Sequence, residues 1–162
     1  RILYDYGEAN NAKNIVRNII KAREKKPIET TFELKEIVES SFPKKVIYGK
    51  GGVSKQTFQA IRIEVNGELK GLEECLDRLA KMLNHGGRMA VISFHSLEDR
   101  IVKNVFKLAS TDCICPPKTP VCICGHKASA KLITRKPITA TQKELEQNSR
   151  SASAKLRVIE KL

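Results

Sequence analysis

Four cysteines, set as Cys113-x-Cys115 and Cys122-x-Cys124, flank the stretch Pro116-Pro117-Lys118-Thr119-Pro120. A hairpin that brings two such pairs together offers four thiolates, the donor set of a tetrahedral zinc site. The same residues also read as free thiols, and less readily as disulfides in a reducing compartment. His126 stands close enough in sequence to replace one ligand. Cys75 is a different case, because it falls beside Leu72, Leu76 and Leu79 at helical spacing and is expected in a core.

A second group of reactive types is Ser93-Phe94-His95-Ser96, at the end of a nearly continuous apolar run. Ligands of open α/β sheets bind beyond the carboxyl ends of strands, where these residues are expected to lie. His95 is suited to proton transfer near neutral pH. Ser93, Ser96 and a following helix amino terminus can donate to an anion or a base edge. The competing reading is structural, with Ser96 and Asp99 capping a helix and His95 filling a turn. Glu98 and Asp99 favour the helix dipole, and Arg100 is placed to pair with one of them. No Gly-x-Ser-x-Gly elbow surrounds the serines, which argues against a hydrolase. Lys50–Lys55 resembles a phosphate-binding loop only loosely, since Ser54 replaces the glycine before the lysine and Gln56 the metal-binding hydroxyl. A flexible basic loop over Lys44–Lys55 is the better account.

The elements that must position these residues are legible in the apolar spacing. Ala12, Ile15, Val16, Ile19 and Ala22 predict a helix over roughly Glu8–Glu24, stopped by Pro27. Thr30 and Glu33 form a capping box for a helix carrying Phe32, Leu34, Ile37 and Val38. A third helix from Thr57 has Phe58, Ile61 and Val65 on one face and breaks at Asn66-Gly67. Leu69, Leu72, Leu76, Leu79 and Leu83 continue in a fourth, which the glycines after His85 terminate. Arg88–Phe94 reads as a strand buried on both faces of a parallel sheet. Ser96 then caps a helix over Leu97–Leu108. Short strands at Lys131–Thr134 and Ala154–Ile159, separated by a helical turn from Thr141, suggest the edge of a mixed sheet.

With 30 Lys plus Arg against 18 Asp plus Glu, the net charge is +12, a balance that favours polyanionic partners. Lys131, Arg135, Lys136, Arg150, Lys155 and Arg157, interleaved with Asn148, Ser149, Ser151 and Ser153, suit phosphate and sugar contacts, or equally a solvated basic strand edge. The longest apolar run is far too short to cross a bilayer and no leader pattern opens the chain, so a cytoplasmic protein without membrane contact is expected. Arg1 opens directly into a helical pattern, and a fragment is expected for that reason. The sequence assigns no oligomeric state.

Four segments then carry a resemblance: RIEVNGEL at 62–69, GGRMAVISFHSLEDRIVK at 86–103, LITRKPITAT at 132–141 and NSRSASAKLRVIEK at 148–161. Together with the opening YGEANNAKNIVRNI they resemble the RsmH (MraW) family, bacterial methyltransferases of cytosine N4 in small-subunit (16S) ribosomal RNA. The resemblance implies an α/β fold: an incomplete Rossmann-like class I methyltransferase sheet over residues 67–162 and a helical substrate-recognition insert over residues 1–66. It implies S-adenosyl-L-methionine as donor, bound mostly by a glycine-rich loop expected ahead of position 1. It implies catalytic roles for Ser93, His95 and Ser96, and substrate contacts at Arg62, Asn66, Arg100, Arg150, Lys155 and Arg157. The partner is then 16S ribosomal RNA. A non-catalytic RNA-binding or ribosome-assembly module is the alternative, consistent with the basic charge and the possible zinc hairpin.

Overall fold

The computed structural model describes residues 1–7, 11–43, 53–117 and 119–162. It divides into two compact units, Arg1–Glu68 and Leu69–Leu162.

The first unit is helical. It contains α1 (Ile2–Asp5), α2 (Ala12–Lys25), α3 (Thr31–Glu39) and α4 (Val53–Asn66). The capping box at α3 forms as its sequence requires: the Thr30 hydroxyl accepts from the Glu33 amide while the Glu33 carboxylate accepts from the Thr30 amide. Leu3, Ile15, Val38 and Ala60 make the buried centre, with Ile2, Tyr6, Ile19 and Leu34 packed against it. The buried stripe of α4 is Thr57, Ala60 and Ile63, rather than the expected Phe58, Ile61 and Val65; Val65 is 78% exposed. Small Ala60 is what lets α1 and Gly7 approach closely, so the neighbouring backbone selects this face over the more apolar one. Glu8–Asn10 of the expected first helix, and positions 44–52 of the expected basic loop, lie outside the described residues. Val53, Ser54 and Lys55 belong to α4, which therefore starts earlier than Thr57.

The second unit is a sheet with two helices on one face. Its elements are α5 (Leu72–Met82), β1 (Arg88–Ser93), α6 (Ser96–Ala109), β2 (Ala130–Leu132), β3 (Ile138–Thr139), α7 (Gln142–Gln147), a 3-10 turn at Ser149–Ser153 and β4 (Lys155–Lys161). The strand order is β1-β4-β2, with β3 also paired to β4. All these pairings are antiparallel, with Met89 opposite Ile159, Val91 opposite Arg157 and Ser93 opposite Lys155. The expected mixed sheet built on a parallel β1 is thus not what the described strands form. Burial on both faces also fails. Strand alternation sends Met89, Val91 and Ser93 towards the helices and Arg88, Ala90 and Ile92 outward, where Ile92 is 58% exposed. Leu76 and Ala80 of α5, Val102, Val105 and Phe106 of α6, Ala130 and Ile159 fill the space between the helices and the sheet. Cys75 and Leu79 turn away from that centre and are exposed, against expectation, because the buried edge of α5 runs Leu76–Ala80.

Candidate functional site

At the carboxyl end of β1 the chain turns into α6 through Phe94 and His95. The residue that caps α6 is His95, not Ser96: its Nδ1 accepts from the Glu98 amide at 3.3 Å. The Glu98 carboxylate returns to accept from the amides of Phe94 at 2.9 Å and His95 at 3.4 Å, closing a box in which an imidazole replaces the usual hydroxyl. Nε2 is buried without a hydrogen-bond partner, and Glu98 Oε1 stands 3.2 Å from it. The strand end therefore holds an oriented imidazole, and both readings of His95, as turn residue and as chemical group, describe the same geometry.

Beneath it lies a buried ion pair that sequence reasoning missed. Asp99, 8% exposed, faces inward from the first turn of α6, and Arg157 reaches it from β4 with Nε–Oδ1 2.7 Å and Nη2–Oδ2 3.0 Å. This is the two-pronged geometry in which guanidinium and carboxylate match. Lys155 Nζ stands 3.6 Å from Oδ2 of the same carboxylate. The Arg157 hydrogen bonds, and then its charge and that of Lys155, hold the Asp99 carboxyl below the usual aspartate range, burial opposing them. A signal did exist. Asp99 occupies the apolar stripe that continues through Val102 and Phe106, and a charge in such a stripe calls for a buried partner.

Of the predicted contact residues, Ser93 is buried with its hydroxyl 3.5 Å from the Lys155 carbonyl, while Ser96 and Arg100 are exposed on α6. Arg157 is committed to Asp99 and Lys155 is half-buried beside it. Arg150 is exposed on the 3-10 turn before β4. Arg62 and Asn66 belong to the first unit, where both hold Glu68: Arg62 through two bonds of 2.7 and 3.1 Å, Asn66 through one of 3.1 Å. Ser93, His95, Ser96, Lys155 and Arg157 are thus brought to one strand end. The turn after β1 contains no glycine, and its acid Glu98 is occupied by the His95 box. These residues do not by themselves fit the glycine-rich turn and free acid of an S-adenosyl-L-methionine grip.

The four cysteines converge. Their sulfurs all lie within 4.8 Å of one another, with Cys113–Cys122 at 3.5 Å, Cys122–Cys124 at 3.6 Å, and Cys115–Cys122 and Cys113–Cys124 at 3.9 Å. The amides of Ile114 and His126 point at Cys124 Sγ and pull its thiol down to about 6. At Cys113 the Cys115 amide lowers the thiol, but the neighbouring Cys122 and Cys115 thiols outweigh it and push it up to about 12. His126 is not a fourth-ligand substitute, because its ring Nε2 bonds the Leu108 carbonyl at 3.0 Å.

Among the described residues, no helix is long and apolar enough to cross a membrane. A model of the MraW methylase family matches residues 1–162. The Ribosomal RNA small subunit methyltransferase H 2 of Agathobacter rectalis is 56% identical over 99% of this chain and 51% of its own length. The Ribosomal RNA small subunit methyltransferase H of Lachnospira eligens is 54% identical over 100% and 51%, and that of Finegoldia magna 53% over 99% and 52%. The chain spans about half the length of the curated relatives it matches. A match that runs from the first residue to the last, through both units, the His95 strand end and the cysteine cluster, places the chain in the MraW methylase family.

Proposed function

We propose that the protein to which this chain contributes transfers a methyl group from S-adenosyl-L-methionine to cytosine N4 in 16S ribosomal RNA, acting in the cytoplasm. In this reading residues 67–162 belong to the methyltransferase domain and residues 1–66 to a helical substrate-recognition insert. The names of the relatives, which specify small-subunit ribosomal RNA, support the substrate class. The +12 net charge supports a polyanion.

The observation that carries the site assignment is the oriented His95 ring at the carboxyl end of β1, its Nδ1 accepting from the Glu98 amide and its Nε2 buried without a hydrogen-bond partner. Methylation of an exocyclic amine needs a weak nucleophile held in line and relieved of a proton. His95 and Ser96 are the groups placed to hold the target nucleotide. Ser93 and the Asp99–Arg157 pair fix the strand end that carries them. Exposed Arg100 and Arg150, half-exposed Lys155, and Arg62 and Asn66 of the first unit supply phosphate and sugar contacts. The residues that grip the methyl donor are not assigned within this chain.

His95→Asn separates chemistry from folding. Asparagine is as good a helix cap as any residue but has no imidazole. Assayed in the full-length protein with labelled donor, His95→Asn is expected to slow methyl transfer by roughly 100-fold, the scale set by a mispositioned reactant. Donor affinity and thermal midpoint should stay near those of the parent. Unchanged turnover in His95→Asn sinks the assignment. The 162-residue chain alone, titrated with labelled S-adenosyl-L-methionine, is expected to bind none measurably, and tight binding would overturn this division of labour. A non-catalytic RNA-binding module, favoured by the charge alone, predicts RNA retention with no methyl transfer by the full-length protein.

A further inference from the structure

We infer that Cys113, Cys115, Cys122 and Cys124 bind one zinc ion that organises the excursion between α6 and β2. In a regular tetrahedron with Zn–S bonds of about 2.3 Å, ligand sulfurs stand about 3.8 Å apart. Four of the six Sγ separations, 3.5, 3.6, 3.9 and 3.9 Å, bracket that value, and all six lie within 4.8 Å. A disulfide requires sulfurs at about 2.05 Å, well inside every one of these separations.

The surroundings of the thiols fit a metal centre. Ile114 N–H is directed at Cys124 Sγ at 3.5 Å, Ile123 N–H at Cys115 Sγ at 3.4 Å, and His126 N–H at Cys124 Sγ at 3.5 Å. Each Cys-x-Cys pair thus lends the amide of its middle residue to a sulfur of the other pair. Zinc binding releases the four thiol protons to solvent and leaves a doubly negative tetrathiolate, and such amides offset that charge.

The second argument is the lack of an apolar core in this excursion among the described residues. Of the described residues between Thr111 and Ser129 none is buried. Ile114, Val121 and Ile123, which would form a small core, are 52%, 72% and 83% exposed. The base of the excursion is tied by Ser129 N–H to the Ala109 carbonyl at 2.8 Å and by Ala128 N–H to Asp112 Oδ1 at 3.3 Å. His126 Nε2 adds a bond of 3.0 Å to the Leu108 carbonyl, and beyond these ties the cysteine sulfurs bring the two limbs together among the described residues. A segment of this size without a core is held by a staple, and four soft thiolates in tetrahedral array select zinc or iron.

The test is made on the unmutated 162-residue chain, purified without chelator. Elemental analysis is expected to find one zinc per chain. Thiol titration is expected to find one fast thiol, the exposed Cys75, rising to five after chelation. Cys75→Ser should remove the fast thiol and keep the zinc, while Cys113→Ser and Cys122→Ser should each lose it. Cobalt in place of zinc should give the intense thiolate-to-metal absorption of a tetrahedral site. Iron in place of zinc, a disulfide within the cluster, or five fast thiols before chelation would each overturn the proposal. Because the thiol count needs no variant, it stands whether or not the serine variants fold.

Discussion

Two side chains at the strand end behave differently from what their types suggest in isolation. Arg157 reads from sequence as one more phosphate-seeking cation, yet it lies 7% exposed with both prongs on Asp99. Removing one partner of such a pair strands a buried charge, so Asp99→Ala should cost roughly 3–5 kcal/mol in urea unfolding, whereas the double change Asp99→Leu with Arg157→Met should cost much less. A cost for Asp99→Ala below about 1 kcal/mol would mean that the pair is solvated and not structural. The same pair sets a pH dependence. The Asp99 carboxyl is lowered in the folded state, so its stabilisation is present above the unfolded value of about 3.9 and is lost as pH falls towards the folded value. Acid titration of the unfolding midpoint should therefore lose its slope below about pH 4 in the Asp99→Leu, Arg157→Met variant relative to the parent. His95 was legible as a candidate from its place after an apolar run. That its ring, and not Ser96, caps α6 depends on a backbone turn that side-chain types do not specify.

Helix starts and stops were the most readable elements, because they depend on local hydrogen bonds: the Thr30–Glu33 box, the Thr141 cap and the break at Asn66-Gly67 all form. Faces were less readable. In α4 the apolar count favours Phe58, Ile61 and Val65, but the packed stripe is Thr57, Ala60 and Ile63, with small Ala60 at its centre where Gly7 packs closely. Gly7 marks the approach: a β-carbon on it would stand 2.7 Å from the Leu3 carbonyl and 3.4 Å from Ala60 Cβ. Gly7→Ala is accordingly expected to destabilise the first unit by about 1–3 kcal/mol, the scale of overpacking, as read from its urea midpoint. A neutral result would mean that the α1 turn relaxes freely. The apolar run of β1 predicted a strand correctly but not its partner, since antiparallel pairing with β4 arises from residues more than sixty positions away.

At the scale of the whole molecule, metal and charge give separate handles. If zinc holds the α6–β2 excursion, chelation removes binding energy coupled to folding, and each kcal/mol moves the midpoint of a unit of this size by roughly 4–8 °C. Calorimetry with and without chelator should show the second unit melting at least about 10 °C lower without metal, and no shift would argue that the cluster is incidental. The +12 charge predicts RNA binding that weakens steeply with salt, with log affinity against log salt falling at about −3.5 for about five phosphates contacted on a single strand. A flat salt dependence would remove the electrostatic argument for an RNA partner. By itself the sequence determined the Thr30 and Thr141 caps, the passage from β1 into α6, the cysteine pairs and, through long motifs in order, the family, because each of these is written in residues close together along the chain. Only the tertiary structure decided that the sheet among the described strands is antiparallel, that Arg157 belongs to Asp99, that Cys75 faces solvent, and that four cysteines seven to eleven positions apart across the hairpin stand at tetrahedral spacing. Those facts depend on which distant segments meet, and that is settled by the packing of whole faces rather than by the preference of any residue.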